Sequence, residues 1–173
     1  MGRSKLYGVD KNNALTEIYE NNNGMAACFP IWNYLDKKYF PNAPFSFSEK
    51  PCWKLTPQQT SKEEYFTLLT SFDGYYFTKE HLPEMIELLK KTHLRPENPI
   101  KSTRLEIFEK ALQDTEFDKF FITATSVADY EMFIDHHYDE ELDDYTSAPT
   151  LKDTTWNLWD EYITNINNLD TKN

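Results

Sequence analysis

The sequence predicts an α+β fold: one helix-rich domain spanning residues 1–173, with about five helices and a small antiparallel sheet. Segments with an apolar helical period alternate with polar or proline-containing breaks, whereas two regions are rich in the β-branched and aromatic residues that strands prefer. Aromatic residues make up 16% of the chain, enough to form a large core, and only four glycines occur. So few glycines disfavour the long flexible linkers that separate domains.

The N-terminal part of the chain predicts a β-hairpin followed by a helix. Two short β-type runs flank the polar segment Asp10–Asn13, an arrangement typical of a hairpin. After "NNNG", the segment "MAACFPIWNYLDKKYF" carries apolar side chains at helical spacing, among them Trp32 and Leu35. Pro30 is expected in the first turn of this helix, where a proline costs least.

The middle of the chain predicts three further helices after a proline-rich loop. Ser61 and Glu64 stand at capping-box spacing before an apolar period, and Gly74 is expected to end that helix. The next helix repeats the period, and its buried face is expected to contain Leu82, Met85, Ile86 and Leu89. Thr103 and Glu106 form a second capping-box pair, which predicts the start of the third helix.

The last third of the chain predicts strands and then a closing helix. In "DKFFITATSVADYEMFID", β-branched and aromatic residues dominate, which predicts two strands joined at Ala128-Asp129. The segment "LKDTTWNLWDEYITNINNL" predicts a final helix with Asp153 as its N-cap. The buried stripe of that helix is expected to contain Trp156, Trp159, Ile163 and Ile166.

The net charge is -11, and most of it lies in one part of the chain. Between Phe120 and Leu151 there are eight acidic residues and no Lys or Arg, so this span carries -8 and the remainder -3 (18 basic against 21 acidic residues). Binding to a nucleic-acid backbone depends on cationic side chains that displace counterions, so direct contact with nucleic acid is not expected. The same electrostatics with the sign reversed favours a basic protein partner.

The cysteines and the hydropathy pattern favour a cytoplasmic protein. Cys28 and Cys52 form no metal-ligand pair and lie among aromatic residues, so we expect two buried free thiols, which suit a reducing compartment. No apolar stretch approaches the roughly 18 residues that a membrane span requires. The N-terminal segment lacks the apolar centre of a signal peptide. No membrane association is therefore expected, and the sequence leaves the oligomeric state open.

The densest acidic segment lies in "MFIDHHYDEELDDY". Crowded carboxylates repel one another, so the run either keeps a loop solvated or forms a surface for a basic partner. Interleaved tyrosines favour the surface, because tyrosine anchors an interface at low entropic cost while carboxylates steer the approach. The predicted partner-binding residues are Asp129, Tyr130, Glu131, Asp135, Tyr138, Asp139, Glu140, Glu141, Asp143, Asp144 and Tyr145.

The tripeptide Asp135-His136-His137 resembles one metal-binding motif of the DHH phosphoesterases. The resemblance ends there, since those enzymes carry further Asp-rich metal motifs earlier in the chain and the N-terminal segment offers only Asp10. Together with Asp139, the tripeptide makes a metal-dependent hydrolase the alternative hypothesis. On a strand, however, neighbouring side chains point to opposite faces, so the two histidines could not both reach one ion.

No other catalytic pattern occurs in the sequence. Phosphate-binding glycine loops, the Gly-x-Ser-x-Gly elbow and the His-Glu-x-x-His zinc motif are absent, so neither a catalytic residue nor a cofactor or metal is expected. The leading interpretation is a small cytosolic inhibitor without catalysis that neutralises a basic partner. An immunity protein against a nuclease-type toxin fits it, and so does a phage-type protein that imitates nucleic acid. A third interpretation is a structural or regulatory domain whose acidic loop only aids solubility.

Overall fold

The structure, a computed structural model, describes residues 4–21, 24–46, 48–92, 100–123 and 132–170. It confirms the α+β class, with five α-helices in the described ranges. The helical content is 42%, so the expectation of a helix-rich protein was an overstatement. The helices are α1 (Gly24–Tyr39), α2 (Lys62–Leu69), α3 (Leu82–Lys91), α4 (Ile100–Gln113) and α5 (Leu158–Asp170).

The described strands form one five-stranded sheet and two small pairs. The strands of the main sheet are β1 (Ser4–Val9), β2 (Leu15–Asn21), β3 (Tyr75–Thr78), β4 (Lys119–Thr123) and β9 (Trp156–Asn157). The two pairs are formed by β5 (Ile134–Asp135) with β8 (Thr150–Leu151), and by β6 (Tyr138–Asp139) with β7 (Asp144–Tyr145).

The main sheet is mixed, with the strand order β2-β1-β4-β3-β9. β1 pairs antiparallel with β2 and β4, and β3 pairs antiparallel with β4. β9 runs parallel to β3, with Tyr75 opposite Trp156. The prediction of a small antiparallel sheet is therefore imprecise. The parallel strand β9 lies in a segment whose apolar period predicts a helix, so the sequence does not reveal it. β4 confirms the first of the two strands predicted around Ala128-Asp129, and that junction lies outside the described residues.

The predicted N-terminal hairpin is confirmed, and a side chain closes its turn. The Asp10 carboxylate oxygen Oδ1 accepts the backbone N–H groups of Asn12, over 2.7 Å, and of Ala14, over 2.8 Å. Asn13 adopts a φ of 61°, a left-handed conformation that asparagine tolerates better than most residues. Both features are encoded locally in the polar segment that the sequence places between the two runs.

Alternate residues of the sheet supply apolar clusters on its two faces. Phe120 and Ile122 of β4 belong to the main core, which packs against α2, α3, α4 and α5, whereas Phe121 belongs to a second cluster. That second cluster consists of Tyr7, Val9, Leu15, Phe121, Phe133, Ile134 and Leu151. Phe133, Ile134 and Leu151 therefore pack on the second face of the sheet, and the acidic segment lies between them in the chain.

A third cluster lies under α1. Cys28 and Cys52 are both buried in it as free thiols, which confirms the prediction for the cysteines. Pro30 does not lie in the first turn, because α1 already begins at Gly24 and the proline falls inside the helix. The sequence prediction misplaced the start of this helix, because the apolar period is the same whether Pro30 lies in the first turn or further along the helix.

The helix signals in the middle of the chain are largely confirmed. The capping box of Ser61 and Glu64 is present in both directions at the start of α2, and the predicted buried face of α3 is buried. The second predicted capping box is wrong, because α4 begins at Ile100 and Thr103 lies within it. A Thr and a Glu three residues apart are also ordinary inside a helix, so spacing alone does not fix a start.

The start of α5 also differs from the prediction. Asn157, not Asp153, caps the helix: its side-chain oxygen accepts the backbone N–H groups of residues 159 and 160, over 3.0 and 3.2 Å. α5 therefore begins at Leu158, and Trp156 precedes it on β9. Trp156 is 54% exposed, so it does not belong to the buried stripe of the helix.

Gly74 does not end α2, whose last residue is Leu69; it turns the chain into β3 with a φ of +93°. A Cβ atom there would lie 2.8 Å from ring carbons of Phe133 and 3.0 Å from Trp156.

We expect Gly74→Ala to lower the free energy of unfolding by about 2 kcal/mol, because it adds left-handed strain to this overlap. Urea denaturation measures the loss. Asn42→Ala in an exposed turn is the control, and equal midpoints for the two variants would contradict the geometry.

Candidate protein-binding surface

The acidic segment is fastened to the sheet by a short antiparallel pair at its base. β5 pairs with β8, where Ile134 lies opposite Leu151. Both side chains are buried in the cluster on the second face of the sheet. Next to this pair, the backbone N–H of Lys152 donates to the carbonyl oxygen of Phe133 over 2.8 Å. The residues between β5 and β8 are therefore presented from a packed base.

Residues 138–145 form a second and smaller hairpin, called the acidic hairpin below. It consists of β6, a turn and β7, with Tyr138 paired to Tyr145 and Asp139 paired to Asp144. Because side chains alternate along a strand, the tyrosine pair lies on one face of the ribbon and the aspartate pair on the other. The acidic segment is thus an ordered ribbon in the structure, whereas the sequence left strand and loop open.

Side chains of the acidic hairpin close its own turn. The Asp139 Oδ1 atom accepts the backbone N–H groups of Glu141, over 2.9 Å, and of Leu142, over 3.2 Å, which is an Asx turn. Asp143 adopts a φ of 51°, and its carboxylate accepts a hydrogen bond from the Tyr138 hydroxyl. This hydrogen bond raises the pKa of Tyr138 above its ordinary value. Two of the predicted binding carboxylates therefore also shape the hairpin.

Three apolar side chains of the acidic hairpin are exposed to solvent. Tyr138 is 47% exposed, Leu142 68% and Tyr145 62%. The two tyrosine rings pack edge to face with their centroids 5.3 Å apart, an arrangement that aromatic pairs prefer. Single exposed apolar residues are normal on protein surfaces, but a contiguous group of them is typical of interaction sites. These three lie within one eight-residue ribbon.

Other carboxylates of the segment have no role within the described structure. The side chains of Asp135, Glu140 and Glu141 are exposed and make no hydrogen bond to another described residue. In the described ranges, no carboxylate from 135 to 144 forms an ion pair with a Lys or Arg. These three side chains are therefore free to meet cations from outside the protein.

Asp139 and Asp144 lie directly opposite each other across the paired strands. Like charges in this position destabilise a two-stranded ribbon, because the Cβ atoms of such pairs are only about 5 Å apart. Asp139 also accepts the N–H groups of the turn, which offsets part of this repulsion. The arrangement therefore concentrates negative charge at a cost to local stability.

The structure brings together most of the residues that the sequence predicts for the surface. Eight of the eleven lie on β5 or in the acidic hairpin, and Asp129, Tyr130 and Glu131 lie outside the described residues. The sequence prediction did not include Leu142. The only sign of this residue in the sequence is that an apolar side chain interrupts a run of acidic residues. The prediction also missed the exposure of Met132, at 61%, which the apolar run around it does not reveal.

The tripeptide Asp135-His136-His137 does not gather into a ligand set with its neighbours. The His137 Nε2 atom lies 3.1 Å from the hydroxyl of Thr150 on β8, while the ring of His136 lies beside Tyr145 with centroids 6.1 Å apart. Among the residues that the structure describes, no group of three or more His, Cys, Asp or Glu is placed to hold a metal ion. The two histidines thus contact different elements.

A separate cleft of about 410 Å³ is lined by Lys38, Glu64, Lys91 and neighbouring residues. The Glu64 carboxylate, which lines the cleft, accepts hydrogen bonds from Lys38, over 2.6 Å, and from the hydroxyls of Tyr39, over 2.6 Å, and Tyr34, over 3.0 Å. Burial alone would raise the pKa of Glu64, but these hydrogen bonds outweigh it and hold the pKa below its ordinary value. Such a stabilised carboxylate is a poor general acid at neutral pH.

Comparisons with known proteins add no further information: no family model, no curated protein and no solved structure matches the chain. In the described ranges, no helix combines the length and the apolar character that crossing a membrane requires. The functional argument therefore depends on the geometry and charge of the chain itself.

Proposed function

We propose that the protein is a non-catalytic inhibitor that docks its acidic hairpin on a basic partner protein. The observation that carries the proposal is the exposed Tyr138–Tyr145 pair, on a ribbon whose carboxylates form no ion pair with a Lys or Arg among the described residues. The proposal includes a cytoplasmic site of action and no direct contact with nucleic acid. Two biological roles fit it: immunity against a nuclease-type toxin, and phage-type inhibition of a nucleic-acid-binding protein.

Charge supports a basic partner. A net charge of -11, with -8 in the span that contains the hairpin, steers a cationic surface toward the acidic face and raises the association rate. Carboxylates spaced along a rigid ribbon can also stand in for the phosphates of a nucleic acid. A protein whose basic groove binds nucleic acid would accept such a ribbon in the same groove.

The exposed tyrosines support a specific interface and not only a diffuse attraction. Interface hot spots are enriched in tyrosine, and they lie where a large side chain can be fully desolvated. Tyr138 and Tyr145 are held by their mutual packing and by strand pairing, so little side-chain entropy is lost on binding. An arginine of the partner can stack on these rings while the Asp143 carboxylate, which lies at the Tyr138 hydroxyl, accepts its N–H groups.

Capture of the partner tests the proposal. The tagged protein is incubated with lysate of its own cell at low salt and is then washed at roughly 0.5 M salt, where screening shortens electrostatic reach to about 4 Å. We expect one basic protein to be retained and then released. Added DNA or RNA should displace it if its nucleic-acid groove is the docking site. A toxin gene next to the gene of this protein would support immunity, and phage structural genes would support the phage-type role.

A charge variant of the hairpin distinguishes a specific surface from general acidity. The five changes to Asn or Gln are made at Asp139, Glu140, Glu141, Asp143 and Asp144. We expect the dissociation constant for the captured partner to rise at least about tenfold. Folding should persist, because the amide oxygen of Asn at 139 can still accept the turn N–H groups.

The matched control removes the same amount of charge elsewhere on the surface. It changes five exposed acids, Glu80, Glu84, Glu87, Glu116 and Asp160, to Gln or Asn. We expect the control to keep most of the affinity, since its changes lie outside the acidic hairpin. Equal weakening by both variants, or no weakening by the hairpin variant, would count against the acidic hairpin as the docking surface.

A further inference from the structure

The cleft of about 410 Å³ beside Glu64 lies where the ends of three helices meet. Its lining includes Lys38 from the last turn of α1, Glu63 and Glu64 from the first turn of α2, and Lys91, the last residue of α3. The volume is in the range of pockets that bind small molecules. Every described residue of the lining carries a polar or charged side chain, so the cleft suits a small polar ligand.

Two of these four charges are paired within the protein. The Lys38 ammonium donates to the Glu64 Oε1 atom over 2.6 Å. This hydrogen bond raises the pKa of Lys38, and the pKa of Glu64 lies below its ordinary value, so both groups are ionised at neutral pH. The pair is neutral as a whole. The net charge that a ligand meets in the cleft therefore comes from Glu63 and Lys91.

Glu63 and Lys91 carry opposite charges and do not pair with each other. The helix ends that hold them are in contact, since the Thr92 hydroxyl lies 3.2 Å from the Glu63 carbonyl oxygen. Neither the Glu63 carboxylate nor the Lys91 ammonium forms a hydrogen bond or an ion pair with another described residue. Lys62, which precedes Glu63 in the chain, does not line the cleft. One negative and one positive group in the same cleft are thus available to a ligand.

This pair of charges discriminates between ligands by their own charge. An anion is attracted by Lys91 but repelled by Glu63, and a cation is attracted by Glu63 but repelled by Lys91. A small molecule with both an ammonium and a carboxylate meets an opposite charge at each end, and such charge-assisted hydrogen bonds are the strong ones. Free α-amino acids carry both groups in ionised form at neutral pH.

We propose that the cleft binds a free α-amino acid with a small polar side chain. The ammonium of the ligand binds the Glu63 carboxylate, and its carboxylate binds the Lys91 ammonium. The Ser61 hydroxyl and the Lys38 ammonium also line the cleft and supply donors for the polar side chain. The cleft shares no residue with the acidic hairpin, so this site does not depend on the proposed docking of a partner protein.

NMR titration of the isotope-labelled protein tests the site. L-Serine, L-threonine, L-asparagine and L-glutamine are added one at a time at constant pH and ionic strength. We expect at least one of them to shift the backbone amide signals of residues 61–64 and 91–92 in a saturable way. If none of the four produces a saturable shift there, the proposal is wrong.

Analogues that keep only one of the two charges test the charge pattern. For L-serine they are 3-hydroxypropionate, which lacks the ammonium, and ethanolamine, which lacks the carboxylate; the corresponding analogues are used for another amino acid that binds. Each should bind at least about tenfold more weakly than the amino acid. An analogue that binds as tightly as the amino acid would overturn the assignment of a zwitterion.

Variants of the two charged residues connect the binding to the cleft. Glu63→Gln and Lys91→Met should each weaken binding of the amino acid at least about tenfold. Lys90→Met and Glu84→Gln, which remove exposed charges of α3 outside the cleft, should leave the affinity unchanged. In Glu63→Gln, the amino acid and its analogue without the ammonium should bind alike, because the partner of the ammonium is gone. Unchanged affinity in both cleft variants would overturn the proposal.

Discussion

Phe77→Ala is expected to lower the free energy of unfolding by about 4 kcal/mol. Phe77 on β3 has no exposed surface and lies between two other aromatic rings of the main core. Its ring stacks on Phe108 of α4 with centroids 4.7 Å apart and on Phe120 of β4 at 5.6 Å. Truncation removes the contacts that join a helix to two strands and leaves a cavity that these rigid neighbours cannot fill. Urea denaturation measures the loss.

Two further variants separate the cavity from the loss of an aromatic ring. Phe77→Leu keeps most of the volume, so we expect a loss of about 1–2 kcal/mol. Met132→Ala truncates an apolar side chain that is 61% exposed, and its effect should stay within about 0.5 kcal/mol. Similar losses from Phe77→Ala and Met132→Ala would show that the main core does not depend on this stack.

Features of the fold that depend on neighbouring residues could be predicted from the sequence. The hairpin turn at Asp10 and the capping box of Ser61 with Glu64 are both confirmed. Each is made by side chains and backbone groups within a few residues, so the local sequence contains nearly all of the physics. The buried face of α3 is likewise fixed by the helical period alone.

Features that depend on distant pairing could not be predicted. The pairing of Trp156 with Tyr75 converts a residue at helical spacing into a strand residue, and the helix then starts one residue after Asn157. Secondary-structure propensities do not reveal a pairing with a distant strand, because tertiary context overrides a weak local preference. The mixed character of the sheet follows from this one pairing.

The candidate surface also has features that the sequence reveals and features that only the folded structure reveals. Its charge and its tyrosines are visible in the sequence, but the opposition of Asp139 to Asp144 depends on a register that only the folded ribbon shows. The burial of Arg104 beside Ser4 and Cys28 is likewise invisible in the sequence, because these three residues come from three distant segments. Buried charges become recognisable only when their neighbours are known.

Glu64→Gln is expected to lower the free energy of unfolding by about 3 kcal/mol at neutral pH. The Glu64 side chain is 6% exposed and joins α2 to α1 through Lys38, Tyr39 and Tyr34. It also accepts the N–H of Ser61 over 3.2 Å as half of the capping box. A glutamine amide keeps the size but turns one acceptor into a donor, which faces the donors of α1.

The pH dependence of this loss provides an independent check. Hydrogen bonds hold the pKa of Glu64 in the folded protein below the unfolded value of about 4.3. The unfolded chain therefore takes up the proton first, and the stabilisation by Glu64 is complete above that value and is lost as the pH falls through the folded pKa. We expect the difference in stability between wild type and Glu64→Gln to be full at pH 7 and to shrink below about pH 4.

Glu63→Gln, the neighbouring control in the same turn, should change stability by no more than about 0.5 kcal/mol. A difference between wild type and Glu64→Gln that stays constant down to pH 3 would mean that the carboxylate charge does not join the two helices.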